Sequence, residues 1–152
     1  PLAAVISTKE IADSLDKNTI STFGGNPVSC ASANATIDII ERENLAENAK
    51  NMGHILIKGL KKIQKQYSKT IGEVRGKGLM VGVELVKDET IKDRTPDVES
   101  TNKIMEETKK RGLLIGRGGL YGNSLRIAPA LNIGSDEIEE ALQIINESFG
   151  AL

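Results

Sequence analysis

Histidine, cysteine and aromatic side chains are nearly missing from this chain. Its 152 residues include one histidine, one cysteine, two phenylalanines, two tyrosines and no tryptophan. A lone thiol cannot form an internal disulfide, which fits a reducing compartment. Cys30 sits in a small-residue helix with no histidine in local partnership, so a packed thiol is expected there rather than a nucleophile. His54 has no Cys, Asp or second His at ligand spacing; it makes no metal site and reads as structural. No single sign of charge prevails either. With 20 basic and 21 acidic residues and a net charge of -1, the composition points to neither nucleic acid nor an anionic membrane as partner. Apolar runs such as Leu79–Val83 fall far short of the roughly 20 residues that a membrane helix needs. An initiating methionine and a signal-peptide layout are absent too, and the opening "PLAAVIS" reads as a buried strand. A fragment of a longer protein is expected.

What is present is strong periodicity. Thr8 can cap a short helix carrying Ile11, Ala12 and Leu15. Asn26 and Pro27 suit the cap and first residue of a second helix, in which Val28, Ala31 and Ala35 recur at helical spacing. From Leu45 onward Ala49, Met52, Leu56, Leu60, Ile63 and Tyr67 step by three or four along one stripe, predicting a long amphipathic helix. The period then falls to two: Leu79, Val81, Val83 and Leu85 alternate with Met80, Gly82 and Glu84, after a turn or bulge at Gly76 and Gly78. "KDETIKDRTPD" reads as a polar loop. Thr95 and Pro96 are expected to open a helix through Lys110, closed by Gly112. "LLIGR" and "SLRIA" read as strands, and Ser135 as the cap of a last helix bearing Ile138, Ala141, Leu142, Ile145 and Phe149. From about Leu45 this is an α+β arrangement.

Two stretches offer chemistry. In "STFGGNP" the glycines at 24 and 25 permit a tight turn, and the hydroxyls and amides ahead of a helix could hold a phosphate or carboxylate; a plain Ser/Thr/Gly turn capping the helix fits the same residues. In "GRGGLYGNSLRIAP", Arg126 alternates with Leu125 and Ile127, which places it on the opposite side of its strand. A guanidinium on a rigid strand can grip a carboxylate through two parallel hydrogen bonds, or simply join a surface ion pair. Arg117, in a glycine-rich turn, is a weaker candidate. Lys77, between two glycines, reads as solvated rather than as a Schiff-base lysine.

Taken in order, "STFGGNPVSCASANA", "IGEVRGKGLMVGVEL" and "GLLIGRGGLYGNSLRIAPAL" resemble the C-terminal part of class III aminotransferases, over essentially the whole chain. The wording "LLIGRGG" is most similar to the alanine–glyoxylate branch. The resemblance implies an α+β small domain of a fold-type I pyridoxal-phosphate enzyme, with helices on a small, mainly antiparallel sheet, at residues 45–152. Residues 1–44 would be a C-terminal piece of the large cofactor-binding domain with a dimer-contact segment.

For the site, the resemblance implies that Thr22 hydrogen-bonds the phosphate of pyridoxal 5'-phosphate in the neighbouring subunit, with Ser21 near the substrate. Arg126 matches the arginine of an "R-x-x-P" signature that binds the substrate α-carboxylate. Where the family usually has Pro-Pro-Leu, this chain has Pro129, Ala130 and Leu131. The Schiff-base lysine would lie just ahead of Pro1, so no catalytic residue is expected in this chain and the chain alone is expected to be inactive. The implied activity is transfer of an amino group between an amino acid and a 2-oxo acid, in a homodimer or higher homo-oligomer. A 4-aminobutyrate- or acetylornithine-type enzyme, or a non-catalytic dimerisation domain, are the alternatives. The expected location is the cytoplasm, or the mitochondrion if a transit peptide precedes the chain.

Overall fold

A computed structural model describes residues 2–152, which fall into two compact units divided between Asn44 and Leu45. In the first unit, α1 (Lys9–Asp13) is capped by Thr8, whose hydroxyl accepts from the Ile11 amide at 3.4 Å. Helix α2 (Pro27–Arg42) has Asn26 as its cap, accepting from the Ser29 amide at 3.0 Å, and Pro27 where a missing N–H costs nothing. Neither helix buries a residue. The strand expected at the N-terminus is not formed. Pro1 lies outside the described residues, and Leu2–Ser7 have no regular structure, with Val5 and Ile6 96% and 95% exposed. An apolar run becomes a strand only where a neighbour accepts its N–H and C=O groups, and the described residues supply none here.

The second unit is a helical layer on an antiparallel sheet. Helix α3 (Leu45–Gln66) presents the predicted stripe, with Leu56, Leu60 and Ile63 buried. The strands are β1 (Ile71–Lys77), β2 (Met80–Asp88), β3 (Asp93–Pro96), β4 (Gly116–Gly118) and β5 (Ser124–Ile127). Their order is β1-β2-β5-β4, with β3 also on β2. Helix α5 (Ser135–Phe149) packs against both α3 and α4 (Val98–Lys110), and Leu56, Ile104, Ile138 and Ile145 meet Val83, Leu85 and Leu125 in the core. Tyr67 stacks on Phe149 with ring centroids 5.4 Å apart. A close approach fixes α3 against the sheet: a Cβ on Gly53 would lie 2.2 Å from the Gly78 carbonyl oxygen.

Five local expectations change. The stretch "IGEVRGKGLMVGVELV" holds two strands rather than one, joined by a two-residue loop in which Gly78 takes φ +55°. The alternation of Leu79, Val81, Val83 and Leu85 is nonetheless buried as predicted. The "polar loop" is largely structured: β2 runs on to Asp88, a 3-10 turn covers Glu89–Ile91, and β3 pairs back onto β2. Pro96 therefore ends a strand, and α4 starts one residue past Asp97, whose carboxylate accepts from the Ser100 amide at 3.2 Å. Gly112, at φ +91°, does follow this helix. In "LLIGR" only Gly116 and Arg117 enter a strand, which ends at Gly118. At α5 the cap is Gly134 and Ser135 is the first helical residue; Glu137 reaches back to accept from the Gly134 amide at 2.9 Å.

Candidate functional site

The hydroxyl-bearing turn of the first unit folds through its own backbone. Gly24 N–H donates to the Ser21 carbonyl at 3.2 Å, Asn26 N–H donates to the Phe23 carbonyl at 3.3 Å, and Gly25 adopts φ +69°. Asn26 does all the side-chain capping of α2, bonding Phe23 and Ser29. The hydroxyls of Ser21 and Thr22 are thus not helix caps. Both residues are exposed, and neither hydroxyl has a hydrogen-bond partner among the described residues. A free hydroxyl donor beside two glycines has the chemistry to meet a phosphate oxygen. Cys30 is half-buried in α2 and unbridged.

In the second unit Arg126 sits in β5 between buried Leu125 and Ile127, on the face turned away from the helices. Pairing puts it in a row across the sheet: Arg75 of β1 is opposite Gly82 of β2, Gly82 is opposite Arg126, and Arg126 is opposite Gly116 of β4. Directly paired residues share a face, so two arginines and two glycines line one row. Their electrostatic states differ. Arg75 donates to Glu73 at 2.8 Å and to Glu84 at 3.4 Å. Arg126 makes neither a hydrogen bond nor an ion pair among the described residues. It also borders a cavity of about 410 Å³ that is lined mainly from the helix side, by Leu56 of α3 and by Ile138, Ala141 and Ile145 of α5, and that does not include Gly82.

The other candidates are engaged elsewhere or stand alone. Arg117 donates to the Asn102 side-chain oxygen at 2.6 Å. Lys77 ends β1 on the exposed surface, and His54 is on the exposed side of α3 near Lys58, Lys61, Lys62 and Lys65. No cluster of three His, Cys, Asp or Glu side chains suited to a metal occurs among the described residues. The perturbed acids belong to structural networks. Glu107 is brought to about 2 by hydrogen bonds from Arg111 and Lys110. Burial pushes Asp97 upward, but hydrogen bonds from Lys87 at 3.0 Å and from Ser100 outweigh it and hold its carboxyl below the usual range. Sequence reasoning did not connect Gly82 and Gly116 with Arg126. Glycines inside β-periodic stretches were the visible signal, but only strand pairing joins them to the arginine.

The sequence and fold have well-defined relatives. A family model described as aminotransferase class-III matches residues 1–149. The human mitochondrial alanine–glyoxylate aminotransferase 2 is 41% identical over 98% of this chain and 29% of its own length. The alanine/serine racemase of Pyrococcus horikoshii is 42% identical over 97% of this chain and 30% of its own length. Among solved structures, a Bacillus anthracis aminotransferase superposes with a TM-score of 0.83 at 35% identity, covering 95% of this chain and 34% of that one. The chain spans about 30% of the length of the curated relatives it matches. The helices on an antiparallel sheet are accordingly the α+β fold of pyridoxal-phosphate aminotransferases, and pyridoxal phosphate is the cofactor of the family. A match that runs from the hydroxyl turn through the arginine strand to the last helix leaves one assignment: the chain belongs to the class-III aminotransferases.

Proposed function

We propose that this chain works as the C-terminal part of a transaminase that moves an amino group between an amino acid and a 2-oxo acid, with alanine and glyoxylate as the reading of its substrates. Residues 1–44 would complete the large domain and a dimer contact, and residues 45–152 would be the small domain. The observation that carries the proposal is the state of Arg126: a guanidinium on a rigid strand, exposed and without a partner among the described residues.

Arg126 binds the substrate carboxylate through two parallel N–H donors and orients the α-carbon. Its role is positioning, and it moves no proton. Thr22 donates its hydroxyl to the cofactor phosphate of the neighbouring subunit, and Ser21 stands next to the substrate. When bound, pyridoxal phosphate supplies the electron sink for amino transfer. The lysine that would carry this cofactor is expected ahead of residue 1, and Lys77 is solvent-exposed at the end of β1. The likeness to an alanine/serine racemase supports a second reading, in which the same carboxylate clamp serves racemisation.

Kinetics of Arg126→Lys in the whole protein test the proposal. Lysine keeps the charge but loses the planar fork, so kcat/KM for amino acids should fall roughly 10- to 100-fold. Amines without an α-carboxylate should be far less affected, and the melting temperature should hardly move. A variant that loses stability while handling both substrate types in the original ratio contradicts the reading. Product analysis with single-enantiomer alanine, with and without an oxo-acid acceptor, separates transfer from racemisation.

A further inference from the structure

Gly82 occupies the middle of β2, paired on both sides, where a glycine weakens a strand. Its backbone is not in the left-handed region, which is confined to other glycines. Nor does packing demand it. A Cβ built on Gly82 meets nothing closer than the Arg75 Cγ at 4.0 Å, whereas one on Gly76 would lie 2.5 Å from the Met80 carbonyl oxygen. The fold therefore uses Gly76 for a close approach and leaves Gly82 with open space above it. A glycine in that setting marks a place where something outside the strand comes near.

The surroundings define what fits. Along β2, Met80 and Glu84 share the face of Gly82, and Met80 is 75% exposed. Across the sheet stand Arg75 and Arg126. Glu84 is taken by Arg75 and Arg94, and Arg75 by Glu73 and Glu84. A Cβ on Gly116 would lie 3.9 Å from the Arg126 Nε, so the arginine stem leans over β4 and the ground above Gly82 stays clear. What remains open for a ligand is a guanidinium on one side and a thioether beside a bare floor. That pairing suits a carboxylate with a short apolar chain.

We infer that the space above Gly82 receives the side chain of the amino acid or 2-oxo acid whose carboxylate Arg126 holds, making Gly82 a specificity-determining residue for chain length. The inference rests on the reading of Arg126 as the carboxylate clamp.

The test measures binding of unbranched monocarboxylic acids of two to five carbons to the whole, cofactor-loaded protein by titration calorimetry. Wild type, Gly82→Ala, Gly82→Val and Arg126→Lys are compared, with melting temperature and cofactor absorbance recorded for each. Gly82→Ala should leave the two-carbon acid nearly unchanged and weaken longer acids by about 10-fold for each methylene excluded, with Gly82→Val extending the loss to shorter ones. Equal weakening at every length, no change at any length, or a fall in melting temperature with loss of cofactor would overturn the inference; the last would mean that protein fills the space. Arg126→Lys separates the two claims. If it leaves the two-carbon acid's affinity intact, the clamp fails and this inference with it. If it weakens that acid while the Gly82 series is flat, only the chain-length role is lost.

Discussion

Arg75 and Arg126 stand two strands apart on the same row of one sheet, each opposite Gly82, yet they are in opposite electrostatic states. Arg75 is held between Glu73 and Glu84, and Glu84 in turn receives Arg94, which also bonds Glu89. That end of the sheet is neutralised within the chain. Arg126 has no such partner among the described residues. A cation left alone in a region where its neighbours are paired keeps its donors for something else, and on a strand it presents them in a fixed direction. The same contrast recurs elsewhere. Asp97 is satisfied by Lys87 and Ser100, while the Thr22 hydroxyl has no partner among the described residues, beside a helix already capped by Asn26.

The contrast can be broken by treating unpartnered groups as functional and partnered ones as structural. The largest effect is expected at Thr22. In the whole protein, Thr22→Ala should weaken cofactor retention by about 1.5 to 3 kcal/mol, the worth of one hydrogen bond to a charged group, with little change in melting temperature. If the contact crosses the dimer, mixed dimers with a lysine-less subunit should show the damage in the partner's site. Unaltered cofactor binding in both sites would make Thr22 an ordinary turn residue.

A smaller effect, on stability alone, is expected at Asp97. Asp97→Ala removes the cap of α4 and should cost about 0.5 to 2 kcal/mol in denaturant unfolding, whereas Asp97→Asn retains a capping side chain. Because its folded carboxyl is held below the ordinary value, the stability that Asp97 contributes is present above the unfolded pKa, about 3.9, and is lost as pH falls through the lowered folded one. Asp97→Asn should therefore flatten the stability profile below about pH 4. An unchanged acid limb would show that the carboxylate titrates alike in both states.

The smallest effect is expected at Arg75. Arg75 and Glu73 are exposed, and the half-buried Glu84 keeps Arg94, so Arg75→Gln should change stability by no more than about 1 kcal/mol, with a weak dependence on salt. Carboxylate binding should be untouched.

Most of the second unit was legible in the sequence because its signals are periodic and its faces are buried. The stripe from Ala49 to Tyr67 and the alternation from Leu79 to Leu85 describe where hydrophobic side chains go, and packing agrees with them. Two kinds of element escaped. Strands β1 and β3 carry Glu73, Arg75 and Arg94 on exposed positions and Gly72 and Asp93 on half-buried ones, so their pairing with β2 outweighs a polar composition that reads as turn or loop. The opposite error occurred at Val5 and Ile6, whose apolar pattern has no partner strand among the described residues. For the site, the strand and outward face of Arg126 followed from the alternation with Leu125 and Ile127, while its lack of an ion-pair partner did not. That property depends on where Glu73 and Glu84 lie across two strands, and local periodicity carries no such information.

The central claim is that of two arginines on one row, only the unpaired one reads a carboxylate. Titration calorimetry of acetate against the cofactor-loaded whole protein, carried out on Arg126→Gln and Arg75→Gln side by side, tests it most directly. The account predicts that Arg126→Gln loses roughly 10-fold or more in affinity, as expected for hydrogen bonds to a charged group, while Arg75→Gln binds as the wild type does. Equal losses in the two variants, or a loss confined to Arg75→Gln, would contradict it.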